Sequence, residues 1–273
     1  MVDYVYFSIG LSLVLFLFKS MICVELHPQY GPDSKMYDFV KGLPFFFGKE
    51  GEVLYSDRNL IKSFPYLENG EDKYLVVKQY RNRTFFQRVA YGFFCKTKAK
   101  RAFLNAGELQ KRHIATPRAV GYLEEYRYGL LRTSFLVTEY TNWKPISCFF
   151  NEPRLFDKSV AEKFAVFVAE LHQKGILHHD LNSTNVLYHQ AGNFALIDNN
   201  RMSFRADGNK LSLRECFDNL TRFTGDMALF EYVLRYYLKY RNWAPSLLPI
   251  AINIKIIHDK QYLRRKKILH KLK

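Results

Sequence analysis

The sequence has few cysteines and no pair of them at the spacing of a metal or redox motif. The four cysteines are Cys23, Cys95, Cys148 and Cys216, and none forms a CxxC pair. This pattern indicates neither a zinc site nor a disulfide framework, so a reducing cytoplasm is the simpler location. Acidic residues are also scarce, since 26 Asp and Glu stand against 41 Lys and Arg, for a net charge of +15. That excess predicts a polyanionic partner, namely nucleic acid, an anionic membrane or a phosphorylated small molecule.

Long hydrophobic runs are missing except near the N-terminus. Residues 4–18 are apolar apart from Ser8, Gly10 and Ser12, and the run stops at Lys19, short of the roughly 20 residues that a spanning helix needs. No lysine or arginine precedes it, so it is a poor secretory signal. We expect the 1–24 segment to be either a membrane anchor, with the rest of the chain held in the cytoplasm by the lysines that follow, or a stretch upstream of a true start at Met21.

Internal repeats and Pro/Gly/Ser-rich linkers are absent as well. The 273 residues are 48% hydrophobic, enough for a sizeable core in one large domain or two lobes. Alternating apolar residues and turn signals predict an antiparallel sheet followed by mainly helical sequence. The predicted strands and hairpins are 53–64, 74–78 after an Asn69-Gly70 turn, 119–123, 134–140 and 187–197, and the predicted helices are 98–113, 156–173 and several within 211–273. The fold class is therefore α+β, with a sheet region at 25–140 and a helical region at 141–273.

The most informative stretch is residues 178–185, His-His-Asp-Leu-Asn-Ser-Thr-Asn, which is followed by Asp198. Phosphoryl transfer from ATP needs a carboxylate that orients and deprotonates the acceptor hydroxyl, and oxygen ligands that hold Mg²⁺ on the phosphates. Asp180 suits the first role, while Asn185 and Asp198 suit the second. Two alternatives stay open: a buried His-Asp turn without catalysis, and a metal site made by His178, His179 and Asp180.

The stretch 171–185 resembles the passage from helix to catalytic loop in the protein-kinase superfamily, and Ile197-Asp198 follows at a matching distance. The resemblance implies a bilobal fold with a small antiparallel-sheet N-lobe and a mainly helical C-lobe. It also implies ATP as the cofactor, with Lys78 on the α- and β-phosphates and Glu108 as the ion-pair partner of Lys78. Glu124 and Glu125 are competitors for that pairing. Glu139 and Tyr140 resemble the hinge whose backbone binds adenine.

Several features depart from regulated protein kinases. The sequence has no GxGxxG, so Arg58 or backbone N–H groups in the 56–59 turn are expected to contact phosphate. His179 stands where those kinases have arginine, Asn199-Asn200 replaces Phe-Gly, and no Ala-Pro-Glu follows. A peptide-docking segment has little room after Asp198, which argues against a protein substrate.

A closer similarity is to the lipopolysaccharide kinases, the Kdo and heptose kinase group of Gram-negative bacteria. It spans about 21–241 and is carried by four short stretches: 58–62, 96–101, 116–121 with its Thr-Pro-Arg and Gly121, and 197–202. The similarity implies an enzyme that uses ATP and Mg²⁺ to phosphorylate a sugar hydroxyl of the lipopolysaccharide inner core, with a lipid A–Kdo precursor as partner, at the cytoplasmic face of the inner membrane. A kinase of another small molecule and a non-catalytic ATP-binding module are the alternatives. Nucleic acid is not expected as a partner, because no nucleic-acid motif is present.

Basic and aromatic residues alternate between 81 and 101, which suits a lipid interface. The alternative is a pair of helices whose aromatics are core and whose charges are solvated. A second basic segment, 262–273, is either another site for anionic lipid or a frayed end.

Overall fold

The computed structural model describes residues 20–57, 59–68, 70–81, 84–150, 155–206 and 210–271. Most of the apolar 1–24 segment, Asn69 of the expected turn, and Arg58 therefore lie outside the described residues. The chain divides into two compact units. The first contains the described residues up to Glu108 together with Pro117–Thr141, and the second contains Leu109–Thr116 and Asn142–Lys273.

The first unit is built on a six-stranded antiparallel sheet with the order β1-β5-β6-β4-β3-β2. Its strands are β1 (Met21–Leu26), β2 (Glu52–Ser56), β3 (Leu60–Glu68), β4 (Glu71–Tyr80), β5 (Ala119–Arg127) and β6 (Leu130–Glu139). Its helices are α1 (Lys35–Phe46), α2 (Phe85–Phe93) and α3 (Lys98–Lys111). The last residues of α3 belong to the second unit. Every strand predicted in this region is present. β1 and α1 are additions that the sequence patterns did not indicate.

Helices α1 and α3 cover opposite faces of this sheet. Leu75 and Val77 of β4 are buried in one cluster with Met36 and Val40 of α1, whereas Tyr80 is buried with residues of α3. Because side chains alternate along a strand, Lys78 lies on the same face as Tyr80, which is the face that α3 covers.

A buried lysine ties α1 to the sheet. Lys62 of β3 is 6% exposed, and its Nζ donates to the carbonyl oxygens of Phe47 and Glu50, both at 2.7 Å. These carbonyls follow the C-terminus of α1, where backbone acceptors are left over and a positive charge is favourable.

The second unit is mainly helical. It contains α4 (Lys158–Gln173), α5 (Leu213–Leu220), α6 (Met227–Tyr240) and α7 (Leu248–Lys271), with the short strands β7 (Lys144–Pro145), β8 (Ile176–His178), β9 (Val186–Tyr188), β10 (Phe194–Leu196) and β11 (Met202–Phe204). Helix α4 is capped at its N-terminus by Asp157, whose side chain accepts from the Val160 amide at 3.0 Å. It ends before Gly175, where φ is +69°, as expected of a helix stop. Sheet and helices together confirm the α+β fold class.

Within the described ranges, no helix combines the length and the apolar character that crossing a bilayer requires.

Candidate active site

The side chain of His178, which is fully buried, holds the conformation of the loop that follows β8. Its Nε2 lies 2.9 Å from the carbonyl oxygen of Ile197, so Nε2 must carry the proton. Nδ1 then accepts from the backbone N–H of Asp180 at 3.1 Å. Burial lowers the pKa of His178, which favours the neutral imidazole that this arrangement needs. The His178 ring therefore joins the loop of Asp180 to Ile197, the residue that precedes Asp198.

The amide of Asn185 closes the loop onto Asp180. Asn185 Nδ2 donates to the backbone carbonyl of Asp180 at 2.9 Å, which leaves Oδ1 as the atom that Asn185 can offer to a cation. Asn182 shapes the turn between them, because its Oδ1 accepts from the backbone N–H groups of Thr184 and Asn185 at 3.0 and 3.1 Å. The role of Asn182 was missed from the sequence, although Asn favours such turns because its side chain hydrogen-bonds the backbone two residues on.

Asp198 is brought beside this loop by its neighbours in sequence. The Ile197 N–H donates to the carbonyl of Asn185 at 3.0 Å, and Asp198 itself has a left-handed φ of 58°, a conformation that Asp and Asn tolerate better than most residues. Asn200 Nδ2 donates to Asp198 Oδ1 at 2.5 Å, and Asn199 Nδ2 donates to Thr116 Oγ1 at 2.8 Å. The two asparagines that replace Phe-Gly therefore orient the Asp198 carboxylate and anchor its turn.

The three residues offer hard oxygen ligands of the kind that Mg²⁺ prefers. Hydrogen bonds link Asp180 directly to Asn185, and link Asn185 to Ile197, the residue before Asp198. The alternative metal site at His178, His179 and Asp180 receives no support, since both ring nitrogens of His178 are engaged by backbone and His179 Nε2 lies 2.9 Å from Ser203 Oγ. In the part of the chain that the structure describes, no group of three or more His, Cys, Asp or Glu could hold a metal ion.

A buried chain of side-chain hydrogen bonds, which we call the buried relay, runs from Tyr237 through His172 and Asn219 to the loop. Asn219 of α5 donates through Nδ2 to the carbonyl of His178 at 2.8 Å, so its Oδ1 is the acceptor for His172 Nε2–H at 3.0 Å. His172 Nδ1 then accepts from Tyr237 Oη–H at 2.8 Å. Burial lowers the pKa of His172 to about 4, although the bond to Asn219 opposes the shift. Sequence reasoning missed this relay, because its members lie far apart in the chain and form no motif.

The first unit holds the residues expected to bind the nucleotide. Lys78 lies in β4, with Nζ 5.1 Å from the centroid of the Tyr80 ring, and Glu108 lies in α3. The two competitors of Glu108 are engaged elsewhere, because Glu124 accepts from Thr97 Oγ1 at 2.6 Å and Glu125 pairs with Arg132.

The expected hinge residues already use their backbone amides. The N–H of Glu139 donates to Arg118 O and the N–H of Tyr140 donates to Tyr74 O, both at 2.9 Å. The Glu139 carboxylate forms an ion pair with the Arg118 guanidinium. An adenine contact from this pair would therefore have to be made by carbonyl oxygens.

Comparison with family models and with solved structures gives matches for this chain. A model of the "Lipopolysaccharide kinase (Kdo/WaaP) family" matches residues 52–233. Among solved structures, the chain is similar to one described as "WaaP in complex with acyl carrier protein", with 16% sequence identity and a TM-score of 0.54, over 89% of this chain and 98% of that one. At this identity the likeness concerns the fold alone, and it agrees with the kinase-like architecture expected from the sequence. No curated protein sequence matches this chain.

Proposed function

The chain belongs to the lipopolysaccharide kinase (Kdo/WaaP) family, and we propose that it transfers the γ-phosphate of ATP to a Kdo or heptose hydroxyl of the lipopolysaccharide inner core. Membership of a kinase family supports phosphotransfer, and the finer choice of acceptor is our proposal. The observation that carries it is the hydrogen-bonded arrangement that joins Asp180, Asn185 and the turn of Asp198 in one unit.

In the proposed mechanism Asp180 orients the acceptor hydroxyl and takes its proton as the phosphoryl group arrives. Asn185 Oδ1 and the Asp198 carboxylate would hold Mg²⁺, which supplies neutralising charge to the ATP phosphates. Asn200 fixes one oxygen of Asp198, so the carboxylate is oriented before the nucleotide binds. Preorganisation of this kind lowers the cost of assembling the site.

For the nucleotide we propose Lys78 on the α- and β-phosphates with Glu108 as its partner, and Arg58 as a further phosphate contact. Support comes from the position of Lys78 on the face of the sheet that α3 covers, and from the engagement of Glu124 and Glu125 by other residues. Glu139 and Tyr140 are proposed to meet adenine through backbone carbonyls.

The proposed partners are ATP, a lipid A–Kdo precursor and an anionic membrane surface, at the cytoplasmic side of the inner membrane. Attachment would be peripheral or through the N-terminal segment. The net charge of +15 supports this choice, because the acceptor and the surrounding lipid headgroups are both polyanions.

The test is transfer of labelled γ-phosphate from Mg-ATP to purified lipid A precursors, one ending in Kdo and one extended with heptose. Asp180→Asn keeps the side-chain shape but loses the base, so we expect turnover to fall roughly 100- to 10,000-fold with Mg-ATP binding retained. Asp198→Asn keeps a residue that tolerates the left-handed backbone, and it should weaken Mg-ATP binding itself.

Asp218→Asn, at an exposed position in α5, serves as the matched control and should retain wild-type turnover. Full activity of Asp180→Asn would show that the site assignment is wrong. Binding of Mg-ATP without transfer to either lipid would point to another acceptor or to a binding module.

A further inference from the structure

The surface around α2 is unusually basic and aromatic. Residues 81–101 contain seven Lys and Arg and no Asp or Glu. Helix α2, in the middle of this stretch, contains no buried residue. Four phenylalanines lie on it or directly after it, with exposed fractions of 61% for Phe85, 83% for Phe86, 57% for Phe93 and 81% for Phe94. We call residues 84–96 the α2 surface.

The way α2 packs explains why these rings point outward. Gly92 lies so close to the turn between β5 and β6 that a Cβ added there would be 2.7 Å from the carbonyl oxygen of Gly129. Arg88 Nε donates to the carbonyl of Leu131 at 3.3 Å, which fixes the same side of the helix. The helix therefore approaches the β5–β6 hairpin at Arg88 and Gly92, and the phenylalanines at its two ends remain exposed. For these four rings, the alternative of core aromatics is wrong.

The exposed phenylalanines form two neighbouring pairs, Phe85 with Phe86 and Phe93 with Phe94, and clustered exposed rings of this kind mark an interaction surface, whereas scattered single rings are ordinary. Phenylalanine has no polar tip, so each exposed ring gains free energy when it enters a hydrocarbon boundary. The exposed cations Arg81 and Lys96 flank the helix, and the stretch has no acidic residue to repel a negative surface. Short helices with this combination lie in the interface of anionic bilayers.

We infer that the α2 surface docks this enzyme on an anionic bilayer, with Phe85, Phe86, Phe93 and Phe94 at the boundary between headgroups and acyl chains. The inference deepens the proposed function, since an acceptor embedded in a membrane is reached only by an enzyme held at its surface. It names a docking element within the described residues, separate from the apolar N-terminal segment.

An environment-sensitive fluorophore tests this placement directly, because Cys95 is exposed and follows Phe94. One full-length protein carries the probe on Cys95 with Cys23→Ser and Cys148→Ser. The comparison protein carries it on the exposed Cys148 of the second unit, with Cys23→Ser and Cys95→Ser. With vesicles of phosphatidylglycerol and phosphatidylcholine, we expect a blue shift of emission from Cys95 and a much smaller one from Cys148.

Substitutions then test which side chains hold the protein on the vesicle surface. Phe86→Ser with Phe94→Ser should lower partition into the anionic vesicles by roughly 10- to 100-fold, from two rings moved out of an apolar boundary. Phe45→Ser is the matched control, because Phe45 of α1 is 75% exposed but lies outside the α2 surface, and we expect less than about a threefold change. Neutral phosphatidylcholine vesicles should bind the wild type far more weakly.

Three results would overturn the inference: vesicle-bound protein whose Cys95 probe remains in water, equal shifts at Cys95 and Cys148, or equal losses from the double variant and Phe45→Ser. A Cys95 probe that remains in water would indicate that the N-terminal segment alone attaches the chain to the vesicle, or that the phenylalanine rings bind a protein or single-stranded RNA. No ATP or acceptor is present in this assay, and Asp180→Asn should bind vesicles like the wild type, so a failed kinase assignment leaves the result intact.

Discussion

Acid should destabilise the second unit through His172. This side chain is 2% exposed, and burial lowers its pKa to about 4, with the positive charge of Arg241 acting in the same direction and the bond to Asn219 opposing it. In an unfolded chain the pKa of histidine is about 6.5. The unfolded state therefore binds more protons than the folded state between these two values. Stability from the neutral ring is fully present above pH 6.5 and is lost as the pH falls toward 4.

The size of the loss follows from the two pKa values. At pH 5 nearly all unfolded chains carry a protonated His172, whereas about one folded chain in ten does, which corresponds to roughly 2 kcal/mol of lost unfolding free energy. Burial also lowers the pKa of His178, so the wild type should lose more than this amount. The difference between wild type and a His172 variant isolates the contribution of His172.

Tryptophan fluorescence during urea unfolding at pH 7.5 and pH 5.0 provides the assay. Trp143 and Trp243 are the two tryptophans of the chain, and both belong to the second unit. His172→Gln removes the titrating ring and keeps an amide that can donate to Asn219. We expect the wild type to lose roughly 2 kcal/mol more than His172→Gln between the two pH values, while His113→Asn, at an exposed position, should behave like the wild type. The same pH dependence in wild type and His172→Gln would refute the reasoning.

Two further changes probe other buried contacts. Asn200→Ala removes the donor to Asp198 Oδ1. It should weaken Mg-ATP binding by roughly tenfold, because a charge-assisted hydrogen bond is worth about 1.5 kcal/mol or more. Unchanged affinity in calorimetry would argue against the orienting role of Asn200. Lys255→Met removes a buried ammonium that donates to Thr221 O, Thr224 O and Asp259. It should lower the unfolding free energy by about 3 kcal/mol, whereas the control Lys260→Met, at an exposed position, should lower it by under about 0.5 kcal/mol. Equal losses from the two variants would contradict the role of the Lys255 contacts.

The hydrogen-bonded loop of the candidate site is within reach of sequence analysis because its residues are close in the chain. Asp180, Asn185 and the residues between them are close in the chain, and the structure joins them by short-range hydrogen bonds. The strands of the first unit were also predictable, since their alternation of apolar and polar residues is a local property. These predictions needed no knowledge of which residues meet across the fold.

The features that escaped prediction depend on distant partners or break local rules. Helix α1 contains Gly42 and Pro44, which are poor helix formers inside a helix, and its buried residues gain their stability from the sheet. The hydrogen bonds behind the candidate-site loop join His172, Asn219 and Tyr237 from three different helices. A single Asn or His forms no motif with its neighbours in sequence, so its role is visible only from its contacts in the folded structure.

The pairing of β1 with β5 has a consequence for synthesis. Met21 pairs with Tyr126, so the partner of the first strand is made about a hundred residues later, which takes roughly 5–20 s at common translation rates. During that interval Ile22, Val24 and Leu26 have no strand to join. Completion of the first unit must therefore wait for β5, and we expect chaperones that shield apolar segments on the ribosome to bind the nascent chain.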